Sequence, residues 1–231
     1  MPISDLIPHF YESLGSGYRE EFRPGHLYWA PTFYLPPHPN VFFEVGNDPS
    51  ENQLRFELRR STADSFRGTH RPLKSIGLEV TEELIAIKAK RRLVALLSEE
   101  NTAPDDIRVA GRRKIHERSF LCLPLYGVHA DEPTRAFPAT VIERIRVLMY
   151  VQFFYFPASS REDNPVVYEA VGRLDRMQVF HRDTLAAGAI PLRLSGDCLL
   201  LLREWIRGYL TGMYSKDMND LREELTKELY T

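Results

Sequence analysis

An arginine and an aspartate two residues apart are the first candidate for chemistry in this chain of 231 residues. Arg173 and Asp175 lie in the stretch AVGRLDRMQVFHRDTL, residues 170–185, where charged and apolar side chains alternate. Alternation predicts an extended strand, which places both side chains on one face. A guanidinium beside a carboxylate can hold a phosphate, or the two can form a surface ion pair that contributes only about 0 to 1 kcal/mol. From this stretch alone, the structural interpretation is favoured over the functional one.

Two basic clusters are the second candidate. They are made up of Lys88, Lys90, Arg91 and Arg92, and of Arg112, Arg113 and Lys114. Thr81 followed by two glutamates predicts the start of a helix over residues 81–90, which would place the first cluster at its C-terminus. Cations are favourable there by about 0.3 to 1 kcal/mol, so helix capping competes with phosphate binding as the interpretation of this cluster.

Histidine, cysteine and aromatic residues give weaker signals. The seven histidines never occur at metal-ligand spacing, so no metal site is predicted. His181 could carry a proton, but an ordinary surface histidine is favoured. Cys122 lies within an apolar strand and is interpreted as a core residue. Five aromatics could stack on bases, although their strand spacing favours a place in the core; they are Tyr150, Phe153, Phe154, Tyr155 and Phe156.

The composition is that of a soluble globular protein, with 43% hydrophobic and 27% charged residues. A formal net charge of −2 provides no global basic field, so any contact with nucleic acid must come from a local patch. Two cysteines provide no disulfide framework and suit a reducing compartment. No signal peptide or membrane span is recognised, and we expect a cytoplasmic protein.

The hydrophobic pattern predicts mostly strands, joined by helices at the C-terminal end. The predicted elements, in chain order, are a helical lead-in near 9–14, a strand HLYWAP, a hairpin of VFFEV and LRFELR, strands LVALLS and SFLCLPLYGV, a long strand over 139–156, a helix capped by Ser195 and ended by Gly212, and a helix over 217–229. Leu27 and Trp29 of the first strand should point away from Tyr28. This order predicts a mostly β fold with α-helices, an α+β single domain built on a small barrel. The barrel core is expected over 24–30, 88–127 and 138–212, with an insertion over 31–87 and a C-terminal helix over 215–230.

Four segments in this order resemble the MazF, PemK and Kid type toxins of bacterial toxin–antitoxin modules. They are PGHLYW, KRRLVALLS, FLCLPLYG, and GRLDRMQVFHRDTL with the helix that follows it. The resemblance covers about half of the chain. It implies an SH3-like barrel that forms a homodimer, needs no cofactor or metal, and acts as a sequence-specific endoribonuclease (mRNA interferase) of a type II toxin–antitoxin system. Single-stranded RNA and an antitoxin protein would be its partners, and no membrane is involved.

The same resemblance assigns roles to residues of this chain. Arg92 corresponds to the family's Arg-Pro motif and would stabilise the phosphate or act in proton transfer. Arg173 and Asp175 correspond to the Arg-x-Asp pair that assists cleavage in Kid-like members. Leu93 replaces the proline of the first motif. Tyr126 replaces a threonine, which moves the hydroxyl outward, and a displacement of about 1 Å can lower a rate on the order of a hundredfold.

Three functional hypotheses follow. The first is an endoribonuclease with Arg92, Arg173, Asp175 and Tyr126 at its catalytic site and with RNA bound by Lys90, Arg91, Arg112 and Arg113. The second is a catalytically degraded barrel that binds nucleic acid or protein. The third is a structural partner whose last helix drives assembly. Tyr126 and the insertion favour the second hypothesis, whereas Arg92 and the Arg-x-Asp pair favour the first.

Overall fold

The structure is a computed structural model, and it describes residues 2–7, 9–34, 36–48, 53–62, 65, 84–99, 118–128, 137–159 and 168–229. The chain divides into two compact units, Pro31–Lys90 and the remainder, which comprises Met1–Ala30 and Arg91–Thr231. Its secondary structure is α+β with antiparallel pairing, which confirms the predicted fold class at this level. None of the helices in the described ranges has the length and apolar character that crossing a bilayer requires.

The described strands form two sheets. In chain order they are β1 (Tyr11–Ser13), β2 (His26–Phe33), β3 (Asn40–Asp48), β4 (Gln53–Arg60), β5 (Ile85–Ala86), β6 (Ala89–Leu96), β7 (Ser119–Gly127), β8 (Phe153–Phe156), β9 (Ala170–Arg173), β10 (Gln178–His181) and β11 (Ala189–Leu194). The larger sheet has the order β1-β11-β2-β6-β7-β9-β8, with β10 paired to β7. Across the described residues this order ends at β1 and β8, and the sheet does not close into a barrel.

The helices lie mainly at the C-terminal end. They are α1 (Ile3–Leu6), α2 (Ala139–Arg146), α3 (Arg182–Ala186), α4 (Gly196–Thr211) and α5 (Lys216–Leu229). The Ser195 hydroxyl accepts a hydrogen bond from the N–H of Cys198 at the start of α4, and Gly212 ends that helix in the left-handed region at φ 72°. Both ends of α4 are therefore as predicted.

Alternation along β2 divides the apolar side chains between two clusters. Leu27 and Trp29 contribute to the main cluster, whereas Tyr28 belongs to a smaller one, as the sequence predicts. The main cluster includes fully buried Trp205 of α4 and Leu225 of α5. The apolar stripe of α5 therefore packs on the body of its own unit.

The unit Pro31–Lys90 contains the predicted hairpin. β3 and β4 pair antiparallel from Asn40 with Arg60 to Asp48 with Gln53, and β5 adds a third strand beside β3. The helix predicted over 81–90 is wrong where the structure describes it. Ile85 pairs with Val41, because the sheet supplies hydrogen-bond partners that outweigh local helix propensity.

Two further predictions are corrected. The strand expected over 139–156 is helical in its first part, where Ile142 and Ile145 are buried at a helical spacing of three residues in α2, and only Phe153–Phe156 forms a strand. The helical lead-in near 9–14 is instead the strand β1, because it pairs with β11 from Tyr11 to Ser13. In both places the apolar residues fit the spacing of a strand as well as that of a helix, and long-range packing decides between the two.

Candidate functional site

A proline in β7 determines the local shape of the candidate site. The Leu97 N–H donates to the Leu121 carbonyl at 2.8 Å, so the backbone N–H and C=O groups of odd-numbered β7 residues point toward β6. The backbone of Pro124 is therefore directed toward the strands on the other side of β7, which are β9 and β10. Proline has no N–H, so it cannot donate a hydrogen bond to them. The ladder on that side is interrupted at this position.

The neighbouring chain leaves the ladder at the same point. β9 pairs with residues 125–127 of β7, β10 pairs with residues 119–122, and between them Leu174–Arg176 forms a single 3-10 turn. The predicted continuous strand over this region is therefore wrong in its middle, because the missing donor of Pro124 removes a bond that a straight strand would need. The turn lies beside the middle of β7, between the residues that pair with β9 and those that pair with β10.

Arg173 and Asp175 come together across this turn. Nε of Arg173 donates to Oδ1 of Asp175 at 3.0 Å, and Nη2 donates to Oδ2 at 2.5 Å. Nε of Arg176 lies 3.6 Å from the same carboxylate. The predicted proximity of Arg173 and Asp175 is confirmed, although a 3-10 turn produces it instead of a strand face. The two side chains remain about one-third exposed, at 31% and 32%.

Tyr126 joins Arg92 to this pair. The β6–β7 register pairs Val94 with Pro124, which places Arg92 opposite Tyr126 two residues further along. The guanidinium carbon of Arg92 lies 4.2 Å from the Tyr126 ring centroid, and that of Arg173 lies 5.6 Å from it. Both distances are within the range of about 6 Å for cation–π attraction. The structure thus brings together all four side chains predicted for the catalytic site.

The group brings several cations together. Among its described side chains, Arg92, Arg173 and Arg176 supply three guanidiniums beside the Asp175 carboxylate. The hydrogen bonds that Arg173 donates to Asp175 raise the pKa of its guanidinium, which burial alone would lower. The Arg173 guanidinium therefore keeps its positive charge at physiological pH and can bind an anion.

The residues predicted to bind RNA are not all gathered here. The Arg91 guanidinium lies 5.6 Å from the Trp29 ring, and strand alternation directs it to the opposite face of β6 from Arg92. Lys90 is exposed and belongs to the unit Pro31–Lys90. Arg112 and Arg113 lie outside the described residues. Lys90, Arg91 and Arg92 lie in β6 and Lys88 just before it, so the helix-capping interpretation of this basic cluster is wrong.

The sequence did not predict that two further side chains, Arg176 and Phe153, lie beside this group. Arg176 approaches the Asp175 carboxylate, and the Phe153 ring centroid lies 6.0 Å from the Arg173 guanidinium carbon. β8 pairs with β9, and Phe153 lies opposite Arg173 in that register. A cross-strand neighbour of this kind cannot be found from spacing along the chain. The only local signal was the apolar run that contains Phe153.

The remaining candidates have structural roles. Cys122 is buried in the smaller cluster, and burial raises the pKa of its thiol to about 12, so it is not an activated nucleophile. His181 accepts a hydrogen bond from the Asp183 N–H as the N-cap of α3. In the part of the chain that the structure describes, no three His, Cys, Asp or Glu side chains are grouped as metal ligands.

Comparisons with protein-family models, with curated proteins and with solved structures found no match to this chain.

Proposed function

We propose that this chain is a metal-independent endoribonuclease that cleaves single-stranded RNA at the group Arg92, Tyr126, Arg173 and Asp175. The observation that carries the proposal is the convergence of Arg92 and Arg173 on the ring of Tyr126. Two guanidiniums held on one aromatic ring form a positively charged surface on which a phosphodiester can rest. The motif resemblance to MazF, PemK and Kid type toxins supports the same activity.

The side chains supply the groups that RNA cleavage needs. The 2′-oxygen forms a bond to phosphorus while the bond from phosphorus to the 5′-oxygen breaks. Asp175 accepts the proton of the 2′-hydroxyl, and the hydroxyl of Tyr126 donates a proton to the departing 5′-oxygen. Arg92 and Arg173 stabilise the charge that grows on the phosphate oxygens. The products are a 2′,3′-cyclic phosphate and a 5′-hydroxyl.

The proposal includes the context of the toxin family. An SH3-like barrel that dimerises would carry the site, and an antitoxin peptide laid on the basic group would silence it in the cytoplasm. The described strands do not close into a barrel, and the antiparallel pairing of β6, β7 and β9 around the site is the part of the structure that supports this fold. The guanidiniums of Arg92, Arg173 and Arg176 beside Asp175 would attract an acidic peptide as well as RNA.

A binding module without cleavage is the second candidate. The bidentate bond between Arg173 and Asp175 favours it, because the guanidinium already occupies both carboxylate oxygens. In this case the protein would hold RNA or an acidic protein segment without breaking a phosphodiester. Binding with no products would distinguish it from the first candidate.

The test uses purified full-length protein, a long unstructured RNA, and EDTA to remove metal ions. We expect fragments with 5′-hydroxyl and cyclic phosphate ends, and no cleavage where the nucleotide before the bond carries a 2′-deoxyribose. Cleavage of the 2′-deoxy substrate at the same bond, or activity only after metal is added back, would contradict the mechanism. RNA binding without any product would select the second candidate.

A further inference from the structure

The group of basic and aromatic side chains continues beyond the proposed site. The Phe153 ring, which neighbours Arg173, lies 6.2 Å from the ring of Tyr150. The Tyr150 hydroxyl accepts a hydrogen bond from Nη1 of Arg144 at 3.2 Å. Arginines and aromatics therefore form one continuous track; from end to end it consists of Arg92, Tyr126, Arg173, Phe153, Tyr150 and Arg144.

The track differs from the core beside it. Phe154 and Phe156 of β8 are fully buried, whereas Phe153 and Tyr150 are only partly buried and Arg144 is exposed. The Phe153 and Tyr150 rings are nearly perpendicular, with 84° between their planes, which is the T-shaped arrangement that aromatic pairs favour. Sequence spacing favours a core role for all five aromatics of this region. In the structure Phe153 and Tyr150 pack against the main cluster but are only partly buried.

The chemistry of the track fits one class of ligand. Guanidiniums bind phosphates, and partly exposed rings offer faces to unpaired bases, which is how proteins hold single strands without reading their sequence. A duplex keeps its bases stacked inside, so it could use only the arginines. An acidic peptide would likewise use the arginines and gain little from the rings.

We propose that Arg144, Tyr150 and Phe153 form a binding track for single-stranded RNA, which holds the nucleotides next to the bond that lies at Arg92 and Tyr126. Phe153 and Tyr150 stack on bases, and Arg144 and Arg173 bind the phosphates between them. The inference rests on the proposed RNA ligand but does not require that the RNA be cleaved. It assigns substrate affinity to α2, β8 and the segment between them, and the reaction to residues of β6, β7, β9 and the 3-10 turn.

Binding can be measured with a fluorescein-labelled RNA of about 12 nucleotides, a length within the usual site sizes of such modules. Phe153→Leu and Tyr150→Leu keep apolar bulk but remove the ring face. We expect each to weaken binding on the order of 5- to 100-fold. Phe153→Tyr should retain affinity. Arg144→Gln should reduce the slope of log Kd against log salt by about 0.7, the contribution of one phosphate contact on a single strand.

Two surface variants of matched chemistry serve as controls. Arg207→Gln removes an exposed arginine of α4 that pairs with Glu204, and Tyr168→Leu removes a tyrosine that is 70% exposed. Neither should change affinity or the salt slope. A duplex of the same length should bind at least about tenfold more weakly than the single strand. Thermal melting of each variant excludes loss of folding as the cause.

The outcomes separate the track from the reaction. If the track variants bind weakly but cleave at the wild-type rate with saturating RNA, both proposals are supported. If they bind weakly and the wild type never cleaves, the track stands and the endoribonuclease proposal fails. If the wild type does not bind single-stranded RNA, if duplex binds equally well, or if Phe153→Leu and Tyr150→Leu bind like the controls, the track is wrong.

Discussion

The guanidinium carbon of Arg92 lies 4.2 Å from the ring centroid of Tyr126, in direct cation–π contact. On the proposed resemblance to the toxins, Tyr126 takes the place of a threonine, which could not offer a ring to Arg92. On that proposal, the tyrosine changes how the cation is held as well as where the hydroxyl lies. On this account Tyr126 has two separable functions, a ring that positions arginines and a hydroxyl that donates a proton.

The two functions of Tyr126 can be tested separately. Tyr126→Phe keeps the ring and should leave RNA affinity and melting temperature unchanged, while cleavage falls by about 10²- to 10⁴-fold, the usual contribution of a general acid. Tyr126→Leu should in addition weaken RNA binding, because Arg92 loses its ring. Single-turnover cleavage and fluorescence anisotropy measure the two effects. Equal cleavage by Tyr126→Phe and wild type would remove the hydroxyl from the mechanism.

Asp175 is expected to act as the base. Asp175→Asn retains an acceptor for Arg173 but cannot take up a proton, so cleavage should fall by about 10²- to 10⁴-fold without loss of RNA binding. Removing a negative charge beside three guanidiniums should tighten RNA binding slightly. Asp197→Asn, an exposed position in α4, is the matched control and should have neither effect. Unchanged cleavage by Asp175→Asn would leave Asp175 as the structural partner of Arg173.

The sequence predicts the parts of the fold that depend on local signals. The strand around Tyr28, the hairpin of β3 and β4, and the ends of α4 at Ser195 and Gly212 all follow from alternation, turn residues and caps. The 3-10 turn Leu174–Arg176 could not be predicted in this way. It depends on the missing N–H of Pro124, which lies on a different strand far away in the sequence.

In the candidate site, too, local sequence signals predict some features and long-range pairing determines the others. Residue types and motif order indicate Arg92, Arg173 and Asp175, but not that Tyr126 contacts both arginines. That relationship comes from the registers of β6, β7 and β9, which spacing along the chain does not reveal. The error over 139–156 has a related cause, since a run with Ile142 and Ile145 fits both a strand and a helix until its packing is known.

Close backbone contact at Gly188 predicts a large effect on stability. A Cβ at this position would lie 1.8 Å from the carbonyl oxygen of Trp29. The Trp29 N–H also donates a hydrogen bond to the Gly188 carbonyl at 2.7 Å. Gly188→Ala should therefore lower the free energy of unfolding by at least about 1–3 kcal/mol, since backbone must move. Gly196→Ala is the control, because nothing lies within 4 Å of its Cβ. Urea unfolding of the two variants gives the comparison, and equal stability would contradict the β2–β11 packing.

His26 predicts a pH dependence of stability. Its ring is 1% exposed, with Nε2 2.8 Å from the Ile190 carbonyl oxygen and Nδ1 2.7 Å from the Tyr28 hydroxyl. Burial is the main cause that lowers the pKa of His26, with a smaller contribution from Arg193, whereas contacts with Glu21 and Ile190 oppose it. The unfolded chain therefore binds a proton more readily, near its ordinary pKa of about 6.5. The stabilising contribution of neutral His26 is complete above that value and is lost as pH falls through the lowered pKa of the folded state.

This effect can be isolated by difference. Urea unfolding between about pH 7.5 and about pH 5 should show a steeper fall in unfolding free energy for wild type than for His26→Gln, which cannot titrate at this position. The dependence of the unfolding free energy on pH is compared, and not its absolute value, because the variant also loses hydrogen bonds. Parallel curves would show that His26 titrates alike in the folded and unfolded chains.

The most direct test of the central claim is the single-turnover cleavage of an unstructured RNA in EDTA by wild type, Arg92→Ala and the surface control Arg207→Ala. We expect wild type and Arg207→Ala to cleave at the same rate. Arg92→Ala should be slower by on the order of 10²- to 10³-fold, the effect of removing one group that stabilises transition-state charge. Cleavage by all three at one rate would show that the reaction does not occur at Arg92, and no cleavage by folded wild-type protein would contradict the endoribonuclease proposal.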